Sequence, residues 1–403
     1  MATHDPRREI EKLRGHLASH DKPIAFLIGA GASTAVLDSE GEPLIPSVAG
    51  LGRHCEVAIR ALGDTFGDAW DRIVADVEAT RPACNIEEIL SNVRGKIAAI
   101  GPGDVLAGLD GDGLREMEST IRRTISELAR PASARIPALL PHHDLARWIR
   151  RTDRATPVEI FTTNYDTLIE RGLEDERVPI FDGFVGSRQP FFLAQSLSND
   201  TLAPGSRWVR LWKVHGSVNW SWQSLEGRAR RIVRGPENVE GELILPSFHK
   251  YDESRKQPYV AMLERLGRVL AERDDGILIT VGYSFGDEHI NSVIFDALEA
   301  SERLHVFALQ FSDLSDDHEL VVRAMTRRNL IVYGPGRAVV GSVSGDWRLH
   351  QEVDRRLAPL MDIPFDSDAL VPGTDEPART GGFRLGDFKW FARFVDTIAG
   401  SDE

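Results

Sequence analysis

Pro23-Ile24-Ala25-Phe26-Leu27-Ile28-Gly29-Ala30-Gly31-Ala32-Ser33 is the stretch on which the reading of this chain turns. Apolar residues run unbroken from Ile24 to Ile28, as in a strand covered on both faces. At Gly29 and Gly31 the backbone is free to turn sharply and to approach a ligand closely. Such a turn can feed a helix N-terminus, whose N–H groups attract phosphate. Alone, the stretch supports two readings, a phosphate cradle and a tight structural turn. The usual dinucleotide fingerprint places a third glycine where Thr34 stands. It also needs an acidic residue at a second strand tip about 20 residues on, and none is evident.

The 403 residues suffice for one large or two ordinary domains, and a hydrophobic content of 42% supports a sizeable core. A formal charge of −14 disfavours nucleic acid and anionic membrane as general partners, so no direct nucleic-acid binding is expected. Two cysteines, Cys55 and Cys84, rule out a disulfide framework and a four-cysteine zinc module and fit a cytoplasmic setting. Met1 to His20 is charged and does not read as a signal peptide. No apolar run reaches the ~20 residues of a membrane span.

Outward from the first turn, Arg7 to Ser19 has the spacing of a short amphipathic helix. Leu51 to Arg150 shows mostly helical spacing, with Asn85 as the cap of one helix. The adjacent His142 and His143 open another and read better as helix-start residues than as metal ligands. The second half alternates strands with helices. Val158 to Thr163 ends at Asn164-Tyr165-Asp166, and Trp208 to Val214 ends at His215-Gly216. Gly276 to Val281 ends at Gly282-Tyr283-Ser284-Phe285, and Leu304–Leu309 and Leu330–Tyr333 follow. The pattern predicts an α/β fold with a Rossmann-like, mainly parallel sheet and an inserted helical module over about 51–150. In such sheets ligands bind outside the carboxyl ends of the strands, where the polar residues gather here. Residues 1–340 form the expected catalytic domain and 341–403 a C-terminal extension. In that extension Asp346 to Leu360 reads as helix and Asp366 to Thr380 as a linker. The aromatic stretch Phe383 to Phe394 must be buried, either on its own domain or on another subunit.

Taken in order, the four strand ends are Gly29-Ala30-Gly31-Ala32-Ser33, Thr162-Thr163-Asn164-Tyr165-Asp166, His215-Gly216 and Gly282-Tyr283-Ser284. This order resembles the sirtuin family, with its Gly-Ala-Gly-x-Ser, Thr-Gln-Asn-x-Asp, catalytic His-Gly and Gly-Thr-Ser. Ile45-Pro46 resembles the Ile-Pro of the sirtuin cofactor loop. The departures are equally informative. The two Cys-x-x-Cys pairs of sirtuin deacylases are missing, so no zinc module and no metal are expected. Thr163 and Tyr165 replace the glutamine and isoleucine of the motif. The pattern, including the ending Gly282-Tyr283-Ser284-Phe285-x-Asp287-x-His289-Ile290-Asn291, resembles the sirtuin-like NAD hydrolases of prokaryotic antiphage defence. That resemblance implies NAD as substrate, with catalytic Asn164, Asp166 and His215 and no metal. It implies cofactor contacts from Gly29, Ala30, Gly31, Ala32, Ser33, Thr163, Gly282, Tyr283 and Ser284. The short form resembles proteins that work beside a HerA-type hexameric ATPase, which implies a homo-oligomer with that partner.

The residue types suit the chemistry independently. Cleaving NAD at ribose C1′ passes through an oxocarbenium-like transition state. Backbone N–H groups and a hydroxyl at Gly29 to Ser33 suit the pyrophosphate. Asn164 can orient water and a ribose hydroxyl, Asp166 can accept from the nicotinamide amide, and His215 can take a proton. Against this, Asn164 and Asp166 also fit an Asx-turn, Asp287 fits a helix N-cap, and a strand-end histidine often has a purely structural role. Trp212, Trp220 and Trp222 read as core and pocket wall. The alternatives are a non-catalytic nucleotide-binding scaffold subunit, or a protein deacylase or ADP-ribosyltransferase.

Overall fold

The computed structural model describes residues 2–79, 84–224, 231–235, 258–271, 275–349, 361–366 and 381–400. The strands, in chain order, are β1 (Ala2–His4), β2 (Ile24–Ile28), β3 (Glu159–Thr162), β4 (Ile180–Phe181), β5 (Phe184–Val185), β6 (Phe191–Phe192), β7 (Val209–Lys213) and β8 (Trp220–Gln223). They continue with β9 (Arg231–Arg234), β10 (Ile277–Val281), β11 (His305–Leu309), β12 (Leu330–Tyr333), β13 (Arg337–Val340), β14 (Val343–Trp347), β15 (Phe365–Asp366) and β16 (Gly382–Phe383). The helices are α1 (Pro6–Ala18), α2 (Gly31–Thr34), α3 (Val48–Arg60), α4 (Asp64–Glu78), α5 (Ile86–Ala99), α6 (Gly111–Leu128) and α7 (Pro141–Arg151). After them come α8 (Leu168–Asp175), α9 (Gln195–Ser198), α10 (Tyr259–Ala271), α11 (Glu288–Ala300), α12 (Glu319–Thr326) and α13 (Phe388–Gly400).

Among the described residues, ten strands form one sheet in the order β1-β14-β13-β12-β11-β10-β2-β3-β7-β4. Its pairings are parallel except at β12–β13 and β13–β14. From β2 the chain moves to β3 on one side, while β10 sits on the other side and leads away to β11 and β12. The switch point of this doubly wound sheet therefore lies between β2 and β10.

The unbroken apolar run of β2 has its reason in two covered faces. Ile24, Phe26 and Ile28 point to one hydrophobic cluster, shared with α1, α7 and α13. Ala25 and Leu27 point to the other, shared with α10, α11 and α12. That two-residue period is the pleat of the strand. A third cluster belongs to the helical module, from Leu51 to Ala129, and takes in Tyr165 and Val218 from the sheet's loops. The spacing counts residues up to Arg150 with that module. Leu145, Trp148 and Ile149 of α7 instead pack beneath the sheet.

Several elements differ from the sequence pattern. Asp346 lies in β14, not in a helix; β14 pairs antiparallel with β13 and parallel with β1. Of the expected helix over Asp346–Leu360, residues 350–360 lie outside the described residues, as do 367–380 of the expected linker. The arginine-rich segment Ser224–Gly241 reads from its sequence as a loop or small hairpin; 225–230 and 236–241 lie outside the described residues, and β9 within it pairs antiparallel with β8, as a hairpin does. The aromatic C-terminal stretch closes its own domain: Phe388, Phe391 and Phe394 of α13 are buried in the cluster beneath the sheet. Phe391 stands edge-on to Phe26 of β2, ring centroids 6.0 Å apart. These aromatic side chains are therefore not presented to a neighbouring subunit.

Candidate active site

The loops after β2 and β10 cross in contact. Gly29 donates its N–H to Val281 O at 3.1 Å, and Gly31 donates to Gly282 O at 2.9 Å. A Cβ on Gly31 would sit 2.6 Å from Gly282 Cα, and one on Gly282 would sit 2.7 Å from Ala32 N. Gly282 also has φ +64°, a backbone suited to glycine. Ala32 and Ser33 donate their N–H groups to Gly29 O and Ala30 O at 3.0 and 3.1 Å. The N–H groups of Gly29, Gly31, Ala32 and Ser33, expected to face pyrophosphate, are thus engaged within the crossing. The reason is geometric: the turn winds at once into the four-residue α2.

The Ser33 hydroxyl is engaged as well. It donates to Asp166 Oδ2 at 2.6 Å and accepts from Asn164 Nδ2 at 2.8 Å. Asp166 Oδ1 accepts the N–H of Leu168 at 3.0 Å, so the carboxylate also caps the first turn of α8. Asn164 and Asp166 are joined through Ser33 rather than acting separately. Beneath them the buried Lys213 Nζ donates to the Asp166 carbonyl and to Glu170 Oε1, the latter at 3.0 Å. Among the described residues, two buried oxygens of this set have no hydrogen-bond partner, Glu170 Oε2 and Asn164 Oδ1. Of the two residues, Asn164 lines a cavity of about 1290 Å³ that also reaches His215. An unfilled amide acceptor there fits a water or hydroxyl of a bound nucleotide.

His215 lies between two carboxylates. Its Nε2 is 2.9 Å from Asp287 Oδ2 and its Nδ1 is 3.2 Å from Glu87 Oε1. Burial opposes a charge on this ring, but the two carboxylates outweigh it and raise the pKa to about 10. Glu87 and Asp287 are partly buried, which alone would raise them. The His215 charge and hydrogen bonds instead hold both carboxyls below their ordinary value. Glu87 Oε1 further accepts the Tyr165 hydroxyl at 2.5 Å. Asp287 is a helix N-cap, as its position before α11 implies, accepting from His289 N and Ile290 N. Its contact with His215 is not legible from that position. Glu87 was not singled out by its sequence. The available signal was the capping box at Asn85 and Glu88, which fixes the start of α5 and hence where Glu87 points.

Ala30, Gly31, Ser33, Thr163, Asn164, Asp166, His215, Gly282, Tyr283 and Ser284 line the cavity together, with Ile45 and Pro46; Gly29 and Ala32 lie behind the wall. The lining's charge is mainly carboxylate: Asp166, Asp287 and Glu288 near the strand ends, and Glu56, Asp71, Glu78, Glu87 and Glu88 on the helical module. Among the described lining residues there is no lysine or arginine. Tyr283 donates to Asn291 Oδ1 at 2.8 Å, and Asn291 Nδ2 donates to Phe285 O, which stiffens the loop after β10. Trp212 and Trp220 are buried in the core and Trp222 packs partly buried against it, so they are core residues and none of the three forms the cavity wall. Among the described residues, no three His, Cys, Asp or Glu side chains are grouped to hold a metal ion. No helix among the described residues is long and apolar enough to cross a membrane.

Residues 158–328 match the family model described as a SIR2-like domain. The match starts just before β3 and takes in Asn164, Asp166, His215 and Gly282, but not the Gly29–Ser33 turn or Glu87. A search of curated proteins finds no match. Over residues 158–328 the chain is thus similar to the SIR2-like domain, and this supports a sirtuin-like α/β protein with NAD-related chemistry.

Proposed function

We propose that the protein is an NAD hydrolase that releases nicotinamide and ADP-ribose and depletes NAD in antiphage defence. The observation that carries the reading is the pairing, in one cavity at the switch point, of a buried asparagine with an unfilled acceptor and a buried histidine. In the reaction the bond from ribose C1′ to the nicotinamide nitrogen breaks, and water adds at C1′. The products are nicotinamide, ADP-ribose and a proton.

Asn164 is held by Ser33 through its Nδ2, which leaves Oδ1 to accept from the attacking water or a ribose hydroxyl. A fixed acceptor of this kind orients the nucleophile before the barrier is crossed. His215 receives the proton once its ring is neutral. Asp166 acts here mainly through Ser33, holding the asparagine's partner in place. A lining rich in carboxylate favours the cationic nicotinamide end of NAD. Pyrophosphate contacts from the Gly29–Ser33 turn would come from what that crossing leaves open, as Ala30, Gly31 and Ser33 line the cavity.

Chromatography of NAD incubated with the pure protein tests the reading. Equimolar nicotinamide and ADP-ribose are expected. Nicotinamide appearing only with an acylated peptide or a protein acceptor would instead make the protein a deacylase or transferase.

A further inference from the structure

The two carboxylates on His215 are held very differently. Asp287 also binds two backbone N–H groups at the start of α11, His289 N at 2.9 Å and Ile290 N at 3.1 Å, through its other oxygen. It cannot swing away without uncapping that helix. Glu87 rides on α5 of the helical module, and among the described residues its Oε1 accepts from side chains alone, the Tyr165 hydroxyl and His215. Among the described residues, Tyr165 and Tyr259 are the further titratable groups in ring contact with His215, each with its centroid 6.3 Å away.

We propose that Asp287 is a positioning residue that keeps the proton on Nε2 of His215, so that Nδ1 is the atom that accepts the substrate's proton, and that Glu87 holds the partner position of Nδ1 until substrate displaces it. With both carboxylates in place the ring carries both protons and has no lone pair to offer. Displacing Glu87 lets the Nδ1 proton go, and the proton on Nε2 stays with Asp287. The tautomer is then set by the contact that does not move, as in other histidine bases oriented by a carboxylate. This rests on the reading of His215 as the base, but its test does not need turnover.

Protein labelled with ¹⁵N-histidine reports the protonation of each ring nitrogen by NMR. In the wild type both nitrogens of His215 are expected to stay protonated at pH 8, with titration near pH 10. Glu87→Gln keeps the size of the side chain and removes its charge. It should lower that pKa by about one to two units and reveal a neutral ring protonated on Nε2. Asp287→Asn still caps α11, lowers the pKa similarly, and should lose the preference for Nε2. An unshifted titration in Glu87→Gln, or a neutral ring protonated on Nδ1, overturns the proposal. If Glu87→Gln does not fold, a neutral His215 in the wild type at pH 7 overturns it. In NAD turnover, the alkaline rise of the wild-type rate should move to lower pH in Glu87→Gln by the NMR shift, roughly tenfold in rate per unit. Asp287→Asn should lose about 10²-fold. Absence of turnover in every variant, with the NMR results as expected, would sink the hydrolase reading and leave the assignment of the two carboxylates standing.

Discussion

Ser33 is the residue that makes a unit of the asparagine and the aspartate, because one hydroxyl serves both. Ser33→Ala leaves a buried amide and a buried carboxylate each one partner short. It should cost about 1–3 kcal/mol in denaturant unfolding and lower NAD turnover more than substrate binding. An unchanged midpoint and rate would show that the hydroxyl is incidental. His142 is a second buried residue with a consequence. Neither ring nitrogen has a partner among the described residues, the ring packs on Phe388 with centroids 4.8 Å apart, and burial lowers its pKa to about 4. A histidine whose folded pKa lies below its unfolded value of about 6.5 resists protonation only while folded. Its contribution is complete above pH 6.5 and is lost as pH falls toward 4, at up to about 1.4 kcal/mol per pH unit. His142→Leu should flatten the wild type's acid loss over that window in pH-dependent unfolding. Equal slopes would contradict this account of His142.

Among elements, the crossing of the β2 and β10 loops positions everything else. Gly282→Ala forces a left-handed alanine, about 1–2 kcal/mol by itself, and drives a Cβ into Ala32 N. Thermal melting should fall by several degrees, and the cavity's two walls should part. A variant as stable as the wild type would mean that the loops do not need this approach. The strand ends were legible because burial on two faces leaves an apolar run that stops where the polar residues start. The role of the glycines was only half legible. Gly29-x-Gly31 shows that something comes close, but a sequence does not say whether the visitor is a phosphate or Gly282 of the next loop. Glu87 was hidden for a related reason. It stands about 130 residues before His215 in the chain, and no local pattern encodes a contact made by docking a helical module on a sheet. The strand at Asp346 was hidden because a short hairpin strand with exposed positions, second from the edge of the sheet, carries weak alternation.

At the scale of the whole molecule, α13 belongs to the core, so Phe391→Ala should cost about 3–5 kcal/mol in unfolding without changing the mass in solution. A changed mass with unchanged stability would return this helix to the surface. An assembly with a HerA-type ATPase is then proposed on the family resemblance alone. Light scattering of the pair against each protein alone tests it, and two unassociated species would end it. The proposed function makes one chemical claim, that Asn164 and His215 cleave NAD. The most direct measurement is nicotinamide release from NAD by the wild type beside folded Asn164→Ala and His215→Ala, scanned from neutral to alkaline pH. Release by the wild type, and a loss on the order of 10²–10⁴-fold in each variant, is the predicted result. Full release by either variant, or none by the wild type alone or with its partner, would contradict it.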